Sequence, residues 1–338
     1  MRSGLALLLF APLFGGCVMD LPQGDVLDRP RVLAARLEPE ADPTRAWAVP
    51  GETVRYLTLA ESPATDTLWT SSFILCEAQG TNTGFPACVG EPFAFAPPAA
   101  PTPDVPDFTF NVPSPPSGDR LLLVGVVCAN GTATIDLETM RPACEGGPDT
   151  VTEAITSAYP LALDVASANR HPTLDGSRFT VDGGDWTEPP AELPLTDCET
   201  RRGGMENADS ALPRVALQID VTEEEEDEAD SVIGFTFADA ARETFQQVVI
   251  GQEEPRTDRE ELTINHVATA GSYRRPTSTV TEPQEVDGRR VEGRSTVSWD
   301  HPLAEEVPEG GLTVRHFFVV RDLRGGVSYV ERALCLVR

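Results

Sequence analysis

The side chains in this sequence that could do chemistry are carboxylates, histidines and cysteines. Its 54 acids outnumber 26 basic residues, all of them arginine, for a formal net charge of -28 over 338 residues. The densest acids are Glu223 to Asp230 (EEEEDEAD). That run could hold a divalent cation or dock a basic partner, with Glu223, Glu224, Glu225 and Glu226 as ligands. A calcium loop, however, needs oxygens at defined spacing around a glycine-permitted turn. A block of like charge reads instead as a solvated, self-repelling loop. Asp182-Gly183-Gly184-Asp185 is a shorter cation candidate through Asp182 and Asp185, and reads as a hairpin turn. The histidines are His171, His266, His301 and His316. None stands in H-E-x-x-H or at i, i+4 spacing from another. His316 shares a strand face with Val314 and Phe318, which predicts a hydrogen-bonded core residue. His171 and His301 each precede a proline.

Whole reaction classes drop out. Without lysine there is no P-loop, no Schiff base and no Ser-Lys nucleophile. G-x-S-x-G, Asp-Thr-Gly and Asp-Ser-Gly are missing. A paired-carboxylate glycosidase needs two particular acids, and abundance nominates none. No catalytic residue and no cofactor is expected. Trp47, Trp69, Trp186 and Trp299 could form a sugar-stacking platform, but tryptophan in β-sandwiches more often anchors the core. A surface this acidic gathers no counterion-release energy from nucleic acid and is repelled by anionic headgroups.

The N-terminus points to export. Arg2 precedes the apolar run Gly4 to Phe14, which is interrupted by Pro12 and too short to span a bilayer. Leu13-Phe14-Gly15-Gly16-Cys17 resembles a bacterial lipobox, with Phe14 where leucine is usual. The resemblance implies a signal peptide over 1–16 and a lipid on Cys17. Val18, in place of aspartate, implies an outer-membrane anchor. Six cysteines remain: Cys76, Cys88, Cys128, Cys144, Cys198 and Cys335. An even number in an oxidising compartment predicts three disulfides. Spacing suggests Cys76–Cys88 and Cys128–Cys144, leaving Cys198–Cys335; the alternative joins Cys76 to Cys128 across two sheets. Zinc is disfavoured by the lack of any C-x-x-C pair.

The elements that must position these groups read as strands and turns. Residues 17–30 form the lipidated cysteine and a polar tether. Strands are predicted at Arg31 to Leu37, Thr53 to Ala60, Leu68 to Cys76, Leu121 to Cys128 and Ala158 to Val165. The apolar run at Leu121 fits a buried central strand. Pro97 to Ser117 carries eight prolines and reads as an inserted irregular excursion or an edge connection. Asn169 to Pro172 marks a boundary, giving domains at 31–168 and 169–338. Later strands are Arg178 to Val181, Arg214 to Val221, Val232 to Phe237, Thr244 to Ile250, Glu261 to Val267, Arg294 to Trp299, Leu312 to Arg321 and Val327 to Val337. Asp322 to Gly326 is the hairpin turn before the last. No amphipathic helix emerges.

Arg31-Val32-Leu33-Ala34, Pro50-Gly51-Glu52-Thr53-Val54 and Leu68-Trp69 leading to Cys76 carry a wider likeness. Ala268-Thr269-Ala270-Gly271, Val319-Val320-Arg321-Asp322 with Gly325-Gly326, and Glu331 to Cys335 continue it. On these motifs the chain resembles the uncharacterised secreted lipoproteins of myxobacteria-like bacteria, with Ig- or PKD-like sandwich domains. The resemblance covers most of the mature chain and implies no activity. The expectation is an all-β protein with two tandem immunoglobulin-like β-sandwich domains behind a lipoprotein signal peptide. Its role would be a non-enzymatic structural or interaction module of the cell envelope, with a protein or glycan partner met at loops or sheet edges. The alternative is a carbohydrate- or divalent-cation-binding lipoprotein, and a glycan hydrolase ranks last.

Overall fold

The computed structural model describes residues 24–64, 66–79, 87–139, 141–186, 198, 214–216, 231–247, 255–282, 284–286, 289–291 and 293–337. The predicted signal peptide, Cys17 and the Glu223 to Asp230 run lie outside the described residues.

The fold is all-β. The first half holds β1 (Arg31–Pro39), β2 (Thr53–Glu61), β3 (Trp69–Gln79), β4 (Ala87–Ala96), β5 (Phe108–Asn111), β6 (Arg120–Asp136) and β7 (Arg141–Pro160). They form a three-stranded sheet, β1-β2-β5, and a four-stranded sheet, β4-β3-β6-β7, with every neighbouring pair antiparallel. Alternation along the strands explains the core. Leu37, Val54, Tyr56, Phe108 and Phe110 from one sheet meet Phe73, Leu75, Leu121, Leu123 and Tyr159 from the other. The predicted central strand holds: β6 lies between β3 and β7, and Leu122, Val126 and Cys128 on its opposite face are buried too.

Three first-half readings need correction. The proline-rich stretch contains a true strand, β5, whose Phe108 and Phe110 enter the core. Its prolines sit outside the four paired residues, and an edge strand tolerates them there. β4 was not foreseen. β7 begins at Arg141 and ends at Pro160, so Ala162 to Val165 is not strand. Pro142, Pro148 and the Gly146-Gly147 pair disguise β7, and an edge position accommodates them.

The second half holds β8 (Arg178–Val181), β9 (Gly184–Asp185), β10 (Arg214–Ala216), β11 (Ser231–Phe237), β12 (Thr244–Gln247), β13 (Arg256–Arg259), β14 (Leu262–Ala268), β15 (Ser272–Tyr273), β16 (Thr277–Thr279), β17 (Gln284–Val286), β18 (Arg289–Val291), β19 (Gly293–Asp300), β20 (Leu312–Asp322) and β21 (Val327–Val337). Two five-stranded sheets result, β10-β21-β20-β14-β16 and β15-β19-β11-β8-β9. Among the named strands described, only β10 on β21 is a parallel pair. Between them lie Trp186, Ile233, Phe235, Trp299, Val314, Phe318 and Leu334. β12 with β13 and β17 with β18 are separate hairpins. Helix is confined, among the described residues, to single turns at Asp239–Ala241 and Ala304–Glu306.

Disulfides join Cys76 to Cys88, Cys128 to Cys144 and Cys198 to Cys335. The first two link neighbouring strands within one sheet. Cys76 and Cys128 lie in small clusters apart from the inter-sheet core, so the cross-sheet link between them is not made.

The two halves are knitted together. Leu27, Leu33 and Ala34 form a third cluster with Val267, Phe317, Val319 and Val327. The stretch read as a tether is docked from Asp25 onward: Val26 bridges Ala268, and the Asp25 carboxylate accepts the Tyr273 amide at 2.6 Å. The connector is fixed as well. His171 Nδ1 accepts the Val327 amide at 3.0 Å, and its Nε2 reaches Leu37 O at 2.8 Å. An amide can only donate and a carbonyl only accept, so these partners select the neutral, Nε2-protonated ring.

Candidate functional site: a cleft at the joint between the halves

The β20–β21 turn organises the joint. Asp322 is buried at its start. Its Oδ1 accepts the amides of Arg324 (2.8 Å) and Gly326 (2.7 Å), and its Oδ2 accepts Asn169 Nδ2 at 3.0 Å. A Cβ on residue 326 would lie 2.1 Å from Asp322 Oδ2 and 2.6 Å from Arg170 O, so glycine is required there.

This clamp presents Arg324 to both halves. Trp47, in the loop between β1 and β2, donates its Nε1 to Arg324 O at 2.8 Å. The Arg324 guanidinium lies 5.0 Å from the Trp47 ring and 4.5 Å from the Phe245 ring, within cation–π range. It also donates to Glu260 at 3.0 Å and approaches Glu243 at 3.7 Å. Glu243 in turn meets Arg170, which pairs with Asp42 of the first half.

Glu260 is the unusual group. It is buried, and one oxygen accepts the Glu243 amide at 2.9 Å. Burial pushes its carboxyl up to about 7, with nearby Asp322 and Glu243 adding to the rise and Arg324 opposing it. A cleft of about 730 Å³ opens beside Arg324, walled by Trp47, Val165, Ser167, Arg170, Phe245 and Gln246. A second, of about 550 Å³, lies where Phe245 and Arg324 meet Asp258, Glu261 and Leu323. The pair offers aromatic faces and paired charges, the means to hold a polar ligand.

The residues singled out from sequence fall elsewhere. Asp182 is spent on the start of the neighbouring strand β11: Oδ1 accepts the Val232 amide (2.8 Å) and Oδ2 the Ser231 hydroxyl (3.0 Å). Asp185 is exposed opposite Thr180. No cluster of three metal-ligating side chains occurs among the described residues. His316 is the core residue expected: it is fully buried, with Nδ1 2.6 Å from the Tyr273 hydroxyl. His266 is buried too, 2.9 Å from Ser278 Oγ. Burial drives both rings down to about 3. The tryptophan platform is not built. Trp69, Trp186 and Trp299 are buried anchors, and only Trp47 of the four faces the clefts described. Of the residues singled out from sequence Trp47 alone lines the cleft beside Arg324, while Phe245, Glu260 and Arg324 were missed. The signal available was Asp322 with Gly325-Gly326, which was read only as a hairpin turn.

No protein-family model matches the chain, and no curated protein matches it either.

Proposed function

We propose that the chain is an exported envelope protein, lipid-anchored at Cys17 in the outer membrane. In this reading residues 31–168 and 169–338 are tandem immunoglobulin-like sandwiches serving as a non-enzymatic interaction module. The observation that carries it is the pairing of all six cysteines beyond Cys17. Such pairing belongs to an oxidising compartment, and it leaves Cys17 as the one thiol available for a lipid. The resemblance to secreted lipoproteins of myxobacteria-like bacteria agrees with the same reading. Cys17→Ser should shift the protein from the membrane fraction to the soluble fraction and abolish incorporation of labelled fatty acid. Unchanged partitioning would sink the anchor.

Trp47 and Phe245 in the joint cleft favour a second reading, a saccharide-binding lipoprotein. Titrating envelope oligosaccharides while following tryptophan fluorescence separates the two. A saturable change lost in Trp47→Ala supports the glycan ligand, and no change removes it.

A further inference from the structure

The first-half sandwich is open along one side. β1 is the edge of one sheet and β7 the edge of the other. A slot of about 370 Å³ runs between them, walled by Ala34 and Ala35 on one side, Ser157 and Ala158 on the other, and Arg321 of the second half. The edge of β1 is partly capped, since Leu33 O accepts Arg321 and Leu37 O meets His171.

The β7 edge is bare. No strand pairs with its outer side among the described residues. From Val151 to Tyr159 it has no proline and one charge, Glu153, and Thr152, Ala154, Thr156 and Ala158 are exposed. Long edges of this kind template the pairing of another strand unless lysine, proline, bulges or a covering element blunts them. Here the slot leaves space where such a cover would lie.

Arg321 supplies the second observation. It is half-buried, and its guanidinium bonds only neutral groups: Leu33 O at 3.1 Å and Asn265 Oδ1 at 3.3 Å. No carboxylate pairs with it among the described residues, whereas Arg315, further back on the same strand, holds both Glu61 and Glu331. A guanidinium taken from water without an anion is costly, and a carboxylate is its natural complement.

We propose that this slot receives an extended segment of a partner protein, which pairs with the β7 edge as a fifth strand and sets a carboxylate against Arg321. Main-chain bonds would supply affinity and the ion pair would supply choice. A second copy is disfavoured as occupant, because two chains of charge -28 repel each other. The inference rests on the interaction-module reading and gives it a site.

The test uses the detergent-solubilised full chain and two octapeptides of alternating threonine and valine, one with a central glutamate and one with glutamine. The glutamate peptide should bind at least tenfold more tightly and protect amides 152–158 from hydrogen exchange. Arg321→Gln should erase the preference. Ala158→Glu, on an exposed wall, should abolish binding while leaving the melting temperature unchanged. Equal binding of the two peptides, binding of neither, or protection confined to other segments overturns the proposal. Concentration-dependent protection of 152–158 without peptide assigns the edge to a second copy and overturns it as well. Release by Cys17→Ser together with a failed peptide assay removes the slot alone and leaves the module reading standing.

Discussion

At the scale of single residues, three buried groups give the protein opposing responses to pH. His266 and His316 are held down to about 3 by burial, against about 6.5 in an unfolded chain. The native state therefore binds fewer protons than the unfolded state between those values. Their contribution is complete above about pH 6.5 and is lost as pH falls towards 3, by up to about 1.4 kcal/mol per pH unit for each ring. Glu260 works the other way. Its carboxyl is raised to about 7 from 4.5, so its contribution is complete below 4.5 and is lost as pH rises through 7. Between 4.5 and 6.5 the carboxyl cancels about half of the histidine loss. Urea midpoints across this range should fall gently at first and more steeply below 4.5. Glu260→Gln should make the upper part as steep as the lower. A flat profile over pH 4 to 6.5 in the wild type would contradict the burial of these rings. The position of His316 was legible because alternation on one strand suffices to place it. Glu260 was not, because its burial depends on a turn contributed by β20 and β21, more than fifty residues away.

At the scale of elements, the sequence disclosed strands with a clean hydrophobic signal, the edge strand β1 among them, and obscured the edges that carry or adjoin proline. β6 announces itself because a central strand is buried on both faces and needs an unbroken apolar run. β5 and β7 are edge strands, and edges admit the prolines and glycines that otherwise signal loops. The Phe108-Thr109-Phe110 alternation was present but short, and its surroundings outweighed it. Phe110 now provides a decisive test, since it is buried against Phe93 and Phe108. Phe110→Ala should cost about 3–5 kcal/mol, the toll for emptying an aromatic core site. A loss under about 0.5 kcal/mol, typical of surface positions, would return this segment to the status of an irregular excursion. The two local disulfides, by contrast, were readable, since cysteines on adjacent antiparallel strands are close both in sequence and in space, and Cys198–Cys335 followed as the remaining pair.

At the scale of the whole molecule, the stretch Asn169 to Pro172, read from sequence as a boundary, is held as a joint. Its character depends on Asn169, His171, Trp47 and Arg324, which reach one another from distant segments. Packing of this kind should couple the halves, so that heat unfolds them together. Trp47→Ala removes a hydrogen bond and a stacked ring from the joint while sparing both sandwich cores. It should split the calorimetric transition or broaden it visibly, and a single unchanged transition would show that the halves unfold together without this contact. The surplus of acid belongs to this scale too, as it sets neighbouring copies of the chain to repel one another.

The docking of Asp25 onto the second half also sets a length. With a lipid on Cys17, eight residue steps separate the bilayer from the Asp25 contact, a leash of roughly 29 Å at full stretch. That reach is about the thickness of a bilayer's hydrocarbon core, roughly 30 Å. The body would then be moored close to its own membrane, and any partner would have to come to that layer to be caught.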